Sequence, residues 1–146
     1  MRIDEFENIY ILTKKKFFKF FEFSFKKVTL IDNLELFNNQ NITNTNSILI
    51  SCNTNLIVSE KIFKKFNLSI NIHPGSHEFP GRDPHHWACY GNATFFGSTV
   101  HIMEKKVDSG KILDFEYSKI FGKLSPFGYQ KIANNTSLIL MKRILE

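Results

Sequence analysis

The sequence predicts an α/β fold with a mostly parallel central sheet, and three observations lead there. Short apolar runs at Ile9–Thr13 and Ser47–Ser51 have the length and content of buried strands. Ser69–His73 alternates cleanly, with Ile70 and Ile72 on one face and Ser69, Asn71 and His73 on the other. Strand and helix patterns then take turns across Ser47–Phe95, the order that produces parallel strands joined by crossover helices.

The elements follow in order. After the Ile9–Thr13 strand, Lys16–Lys27 admits two readings: Phe17, Phe20 and Phe21 fit a helix face, whereas Phe21, Phe23 and Phe25 alternate like a strand. Val28–Leu30 reads as strand, and Asn38–Asn46, rich in Asn and Thr with little to bury, as loop. Ser59 is placed to cap a helix whose first turn carries Glu60, whose apolar face is Ile62, Phe63 and Phe66, and which ends at Asn67 in a left-handed conformation. Pro74 and Gly75 stop the Ser69–His73 strand and open a Pro/Gly loop that runs to Asp83. Asp83 then caps a helix beginning at Pro84 and ending before Gly91. Phe96–Glu104 and Lys111–Tyr117 read as strands around a turn at Val107–Gly110. Ser125 and Pro126 open a last helix that would bury Ile132, Leu138, Met141 and Leu145. With 146 residues, no internal repeat and no composition break, the expectation is one domain.

The bulk composition narrows the classes. Hydrophobic residues make up 42% and charged ones 23%, which suits a globular protein. The formal charge of +5 favours anionic small molecules only weakly. The densest run, Lys14–Lys16, comes with no nucleic-acid-binding motif and reads as a solvated face. Cys52 and Cys89, without a secretory signal at the N-terminus, indicate reduced thiols and a cytoplasmic location. No apolar run approaches the ~20 residues a membrane-spanning helix needs, so no membrane partner is expected.

In open α/β sheets, ligands sit beyond the carboxyl ends of the strands. Asn71 and His73 stand there together on one strand face, directly before a loop. An amide can hold an oxygen while an imidazole handles a proton, so the pair suits one small reacting group. His73, His77, Asp83, His85, His86 and Cys89 also invite a metal reading, because zinc takes such ligands at short spacings. Pro74 and Gly75 keep His73 and His77 off a shared helix face, and the adjacent His85 and His86 diverge on a helix, so no metal site is expected.

The segment NIHPGSHEFPGRDPHHWACY, followed by GSTVHIMEKKVDSGKIL, resembles the folate-dependent formyltransferases. That family includes the glycinamide ribonucleotide, methionyl-tRNA and nucleotide-linked aminosugar enzymes. The resemblance rests on Asn71-Ile72-His73-Pro74, Pro80-Gly81, Thr99-Val100-His101 and Asp108-Ser109-Gly110, in the family's order and close to its spacing. It implies a Rossmann-like formyltransferase fold. The part before the Asn-x-His strand is short for the family, so the N-terminal half is expected to be shortened.

The resemblance further implies Asn71, His73 and Asp108 as catalytic residues, with Thr99 organising a water or supporting Asp108. Asn71 would donate to the formyl oxygen, and His73, helped by Asp108, would take the amine's proton. The co-substrate implied is N10-formyltetrahydrofolate. The backbone of Ser51, Cys52 and Asn53 would meet its pterin, and Leu49, Ile57 and Val107 would be apolar walls. His77, Asp83 and His85 are candidates for holding the acceptor. The Gly-rich phosphate loop of the ribonucleotide enzyme is missing from Ile9–Phe18, and no tRNA-binding domain follows Glu146. The acceptor implied is therefore a primary amine on a nucleotide-linked aminosugar, and a homodimer is left open. The competing readings are a shortened formyltransferase fold that binds folate or a nucleotide without turnover, and a metal-dependent hydrolase using the histidines.

Overall fold

The computed structural model describes residues 3–21, 27–39 and 46–146. Six strands form one sheet: β1 (Asn8–Leu12), β2 (Val28–Ile31), β3 (Ser47–Cys52), β4 (Leu68–His73), β5 (Phe95–Ile102) and β6 (Ile112–Lys119). Their order across the sheet is β2-β1-β3-β4-β5-β6. The first four strands are mutually parallel, and β5 and β6 are antiparallel additions. Four α-helices accompany them: α1 (Glu35–Asn39), α2 (Glu60–Phe63), α3 (Pro84–Tyr90) and α4 (Pro126–Leu145).

Among the described residues, the connections between the parallel strands carry short helical segments. A 3-10 helix over Lys15–Phe20 follows β1, and α1 and α2 have only five and four residues. Helices this short cannot cover a sheet face alone, because a typical globular helix runs about 11–12 residues. Lys16–Phe20 thus takes the helical reading, with Phe17 buried. The Phe23 and Phe25 alternation and most of Asn38–Asn46 lie outside the described residues.

Alternation divides the sheet into two unlike faces. Ile9, Ile11, Ile48, Ile50, Cys52, Ile70, Ile72 and Val100 point one way and pack on Leu140, Met141, Ile144 and Leu145 of α4. Burying each such aliphatic side chain contributes about 1.5–3 kcal/mol, so α4, although last in sequence, is a principal source of stability. On the other face Leu12, Leu49, Phe37, Ile62 and Phe66 form a second cluster. Tyr10, Phe37 and Phe66 meet there edge to face, with centroids 5.2–5.6 Å apart. This second cluster lies over β1 and β3. Over β4 and β5 the same face is polar, and β6 adds Phe115 and Tyr117 to it.

Several local expectations are corrected. Ser59 has the extended backbone of a cap, but its side chain makes no capping bond, and α2 stops at Phe63. Asn67 does not end that helix in a left-handed conformation. Its side-chain oxygen accepts from Ser47 N at 2.9 Å, and its own N–H donates to Ser47 O, tying the approach to β4 onto the start of β3. Asp83 itself adopts the left-handed conformation (φ 57°) and gives α3 no side-chain cap; its carboxylate lies 3.5 Å from Arg82 Nε. Ser125 does cap α4, accepting from Gly128 N at 3.2 Å. That helix buries Met141 and Leu145 as expected, but also Ala133, Thr136 and Ser137, while Ile132 and Leu138 are half-buried. The small residues are buried because Ser98 of β5 reaches into the helix, 2.8 Å from Ala133 O, 2.9 Å from Thr136 Oγ1 and 2.8 Å from Ser137 Oγ. Among the described residues no helix is long and apolar enough to cross a membrane.

Candidate active site

Strand register assembles the site. β4 and β5 run antiparallel with Asn71 opposite His101 and His73 opposite Thr99. Side chains directly opposite on one sheet face are near neighbours, so the polar face of β4 meets an equally polar face of β5. The segment after β5 then folds back over both strands and delivers Asp108. Gly110 makes this return feasible: a Cβ there would stand 1.8 Å from the Ile102 carbonyl oxygen. Asp108 itself has φ 55°, a left-handed conformation that Asp tolerates better than most residues.

The Asp108 carboxylate gathers three N–H groups and faces a ring nitrogen of His73. Its Oδ1 accepts from Asn71 Nδ2 at 3.1 Å and His101 Nε2 at 3.0 Å. Its Oδ2 accepts from the Gly81 amide at 2.8 Å and faces His73 Nδ1 at 3.2 Å. Asn71 and Asp108 are 37 positions apart in the chain. The side chains of His73, His101 and Asp108 are each 6% exposed, so these interactions are shielded from water. On its far side, His73 Nε2 lies 2.7 Å from the Phe79 carbonyl. Gly75 lets the loop pass over the ring, since a Cβ there would stand 2.6 Å from His73 Nε2.

Charge follows from these contacts. Burial alone would raise the Asp108 pKa, but the hydrogen bond from His101, the nearby His73 and the Gly81 amide outweigh it and hold the carboxyl below its ordinary range. Burial alone would lower the His101 pKa, but its hydrogen bonds to Asp108 and to the Ile102 carbonyl outweigh it and raise the value. For His73 burial wins: it lowers the pKa against the pull of Asp108 and the Phe79 carbonyl. The two imidazoles therefore divide into different roles. His101 is the imidazole whose protonated form Asp108 favours. His73 is neutral at pH 7, with one N–H for two facing oxygens, so the site already holds the acceptors that a proton arriving on His73 would need.

The remaining expected site residues are spread around this cluster. The Thr99 hydroxyl donates to Gly75 O at 3.0 Å and meets the Tyr117 hydroxyl at 3.1 Å, so it holds the loop over His73 instead of Asp108. Ser51 and Asn53 are buried at the end of β3, and Leu49 is fully buried in the second core cluster. The Cys52 side chain lies in the α4-facing core, where burial pushes its thiol up to about 12, leaving only its backbone for a ligand. Ile57 and Val107 are 71% and 49% exposed, an apolar surface on the loops after β3 and β5. His77 is exposed and bound to Tyr117, and His85 packs its ring on His86 with centroids 4.5 Å apart. Together with the Arg82-paired Asp83, these residues make their contacts away from Asp108. Among the described residues no group of three His, Cys, Asp or Glu is arranged to hold a metal ion.

Sequence reasoning left His101, Gly81, Phe79 and Tyr117 without roles. Period-two alternation from Thr99 was the available signal for His101, and φ 86° at Gly81 reflects the Pro-Gly turn. A main-chain carbonyl such as that of Phe79 leaves no side-chain signature.

Comparison with known proteins bears on the family and the fold. The formyl transferase family model matches residues 19–143, and the chain belongs to that family. Among solved structures, it is similar to a 4-N formyltransferase from Francisella tularensis (18% identity, TM-score 0.74, 95% of this chain and 67% of that one). It is also similar to a sugar N-formyltransferase from a Shewanella species (19%, TM-score 0.72, 94% and 68%). A phosphoribosylglycinamide formyltransferase from Anaplasma phagocytophilum shares the fold at 13% identity (TM-score 0.70, 95% and 84%). No match was found among curated proteins.

Proposed function

We propose that the chain, acting as one catalytic unit, moves a formyl group from N10-formyltetrahydrofolate to a primary amine on a nucleotide-linked aminosugar. Asn71, His73 and Asp108 would be its catalytic residues. The observation that carries the reading is the buried carboxylate of Asp108, which draws an amide and a neutral imidazole into one cluster at the carboxyl end of β4. The aminosugar acceptor is supported by the similarity to the Francisella and Shewanella structures and by the missing Gly-rich loop after β1.

The formyl donor supplies an activated carbonyl carbon on a weakly basic leaving nitrogen. The residues at the end of β3 fit such a ligand. Asn53 is held at φ 50°, and both polar atoms of its buried amide lack a partner. Ile57 and Val107 offer exposed apolar surface on the loops after β3 and β5.

Asn71 uses one N–H on Asp108 and keeps its second for the formyl oxygen, where negative charge develops as the amine attacks. A donor of this kind in a water-excluded site is worth about 2.7–4 kcal/mol of transition-state stabilisation. As the amine nitrogen bonds to the formyl carbon, its proton passes to neutral His73; the bond from that carbon to the donor nitrogen then breaks, and the departing nitrogen takes the proton up. Both ring nitrogens of His73 face oxygens, Asp108 at Nδ1 and Phe79 O at Nε2, so the Phe79 carbonyl has to move aside for the proton to reach Nε2, while Asp108 holds the imidazolium. Help of this type gives about 10²–10⁴-fold in rate.

Incubation with N10-formyltetrahydrofolate and a panel of nucleotide-linked 3- and 4-aminosugars, read by mass spectrometry, tests the proposal. A formyl mass gain on one amine is the expected result, abolished in a folded His73→Ala variant. Folate binding by calorimetry with no transfer to any amine would replace it with the binding-module reading.

A further inference from the structure

Tyr117 sits on the edge strand β6, on the same sheet face as Thr99 and His73. β5 and β6 pair Gly97 with Tyr117 and Thr99 with Phe115, so Tyr117 is diagonal to Thr99. Its hydroxyl accepts from the His77 main-chain N–H at 3.0 Å, and lies 2.9 Å from His77 Nδ1 and 3.1 Å from Thr99 Oγ1. The His77 ring stacks on the Tyr117 ring at 23° with centroids 6.1 Å apart. Thr99 spends its own proton on Gly75 O. One phenol oxygen thus collects both the main chain and the side chain of His77, and reaches Gly75 through Thr99.

These contacts all fall on the Pro74–Asp83 loop. That loop carries the two main-chain groups that define the His73–Asp108 pair: Phe79 O on His73 Nε2 and Gly81 N–H on Asp108 Oδ2. Within the loop, one local main-chain bond, Phe79 N to Ser76 O at 2.9 Å, passes the constraint forward. Its outer part is otherwise open, with His77, Glu78 and Pro80 exposed. The anchor on β6 holds its exposed His77 end, while Gly75 O is bound by Thr99, Phe79 packs on Phe96 and Gly81 N–H is bound by Asp108.

We propose that Tyr117 is a positioning residue for formyl transfer: by pinning His77 and Gly75 it keeps the Pro74–Asp83 loop closed over His73. The inference rests on the functional reading above and extends it, because Tyr117 touches neither the reacting groups nor Asp108. His77 accordingly belongs to the loop's anchor as well as being a candidate for acceptor binding.

Tyr117→Phe keeps the ring and its stacking and removes only the oxygen. Released from its anchor, the loop admits water to His73. Burial is the main cause of that ring's depressed pKa, so the titration of His73 should move up toward the ordinary histidine value of about 6.5. This is read directly by NMR of the imidazole nitrogens, with or without turnover. In parallel, kcat should fall about tenfold, with the acid limb of the rate profile moving the same way and the melting temperature nearly unchanged. His77→Ala, which leaves the main-chain N–H on Tyr117, should shift His73 in the same direction by less, and the double variant should add little to Tyr117→Phe alone. An unmoved His73 titration in Tyr117→Phe would overturn the role of Tyr117 whatever the enzyme's substrate proves to be. Failure of the wild-type protein to formylate any amine, with the His73 shift present, would instead reject the acceptor assignment and leave the loop anchor standing.

Discussion

Replacing Asp108 with Asn is the most searching perturbation of the site, because it changes one atom of a carboxylate that accepts three hydrogen bonds and faces His73. An amide keeps a single oxygen. In one orientation its NH₂ meets the N–H groups of Asn71 and His101; in the other it meets the Gly81 N–H and faces His73 Nδ1, which can accept when unprotonated. One or two bonds to a charged acceptor are lost, each contributing about 1.5–3 kcal/mol, for a range of about 1.5–6 kcal/mol. His101 can relieve part of this by releasing its proton, which brings the expected loss to about 3 kcal/mol, by the same accounting. For a chain of this length that is a drop of about 10 °C in melting temperature. Urea titration of both proteins across pH provides the measurement. Asp108 is depressed in the folded state, so its stabilisation is complete above the unfolded value of about 3.9 and vanishes as pH falls through the lower folded value. The wild-type advantage should therefore be full near neutrality and close in acid. A variant within about 1 kcal/mol of wild type at pH 7 would refute the reasoning, since exposed polar substitutions commonly cost about that little.

Three further outcomes follow from particular contacts. Because the His101 pKa is raised by Asp108 and the Ile102 carbonyl, its contribution is full below the unfolded value of about 6.5 and is lost as pH rises through the folded value. His101→Gln should abolish that alkaline decline in urea stability, and a decline that persists would assign it elsewhere. Gly75→Ala should push His73 off the Phe79 carbonyl at an overpacking cost of about 1–3 kcal/mol and reduce kcat more than it changes KM in steady-state assays. Ser98→Ala should cost about 1–3 kcal/mol by urea unfolding, because it strips Ala133 O, Thr136 and Ser137 of a shared partner. Ser98 faces α4, away from His73, so KM should be unaffected.

Strand positions were legible because runs such as Ile9–Thr13, Ser47–Ser51 and Ser69–His73 carry their own hydrophobic pattern, and local backbone preference acts within a few residues. The alternation of Asn71 and His73 on one face, and their place before a Pro-Gly turn, were legible for the same reason. Helix ends were read less well. Ser59, Asn67 and Asp83 are all residue types that favour caps, but Asn67 was claimed by the start of β3 and Asp83 by its own left-handed backbone, because a tertiary hydrogen bond outweighs a capping preference of about 1 kcal/mol. On α4, Ile132 and Leu138 pack half-buried against the core as the pattern implied, but Ala133, Thr136 and Ser137 went unseen, since small buried residues have no apolar signature when their partner is a serine on another strand.

By itself, then, the sequence determined which residues alternate, where the strands break and which polar groups stand at a strand end, all consequences of interactions between near neighbours in the chain. Only the tertiary structure decided that β5 lies antiparallel against β4, that His101 and not Thr99 meets Asp108, and that the Pro74–Asp83 loop closes over His73 from an anchor on β6. Those outcomes depend on strand pairing and on burial, and the free energy of each comes from groups dozens of positions apart that have no influence on one another until the sheet has formed.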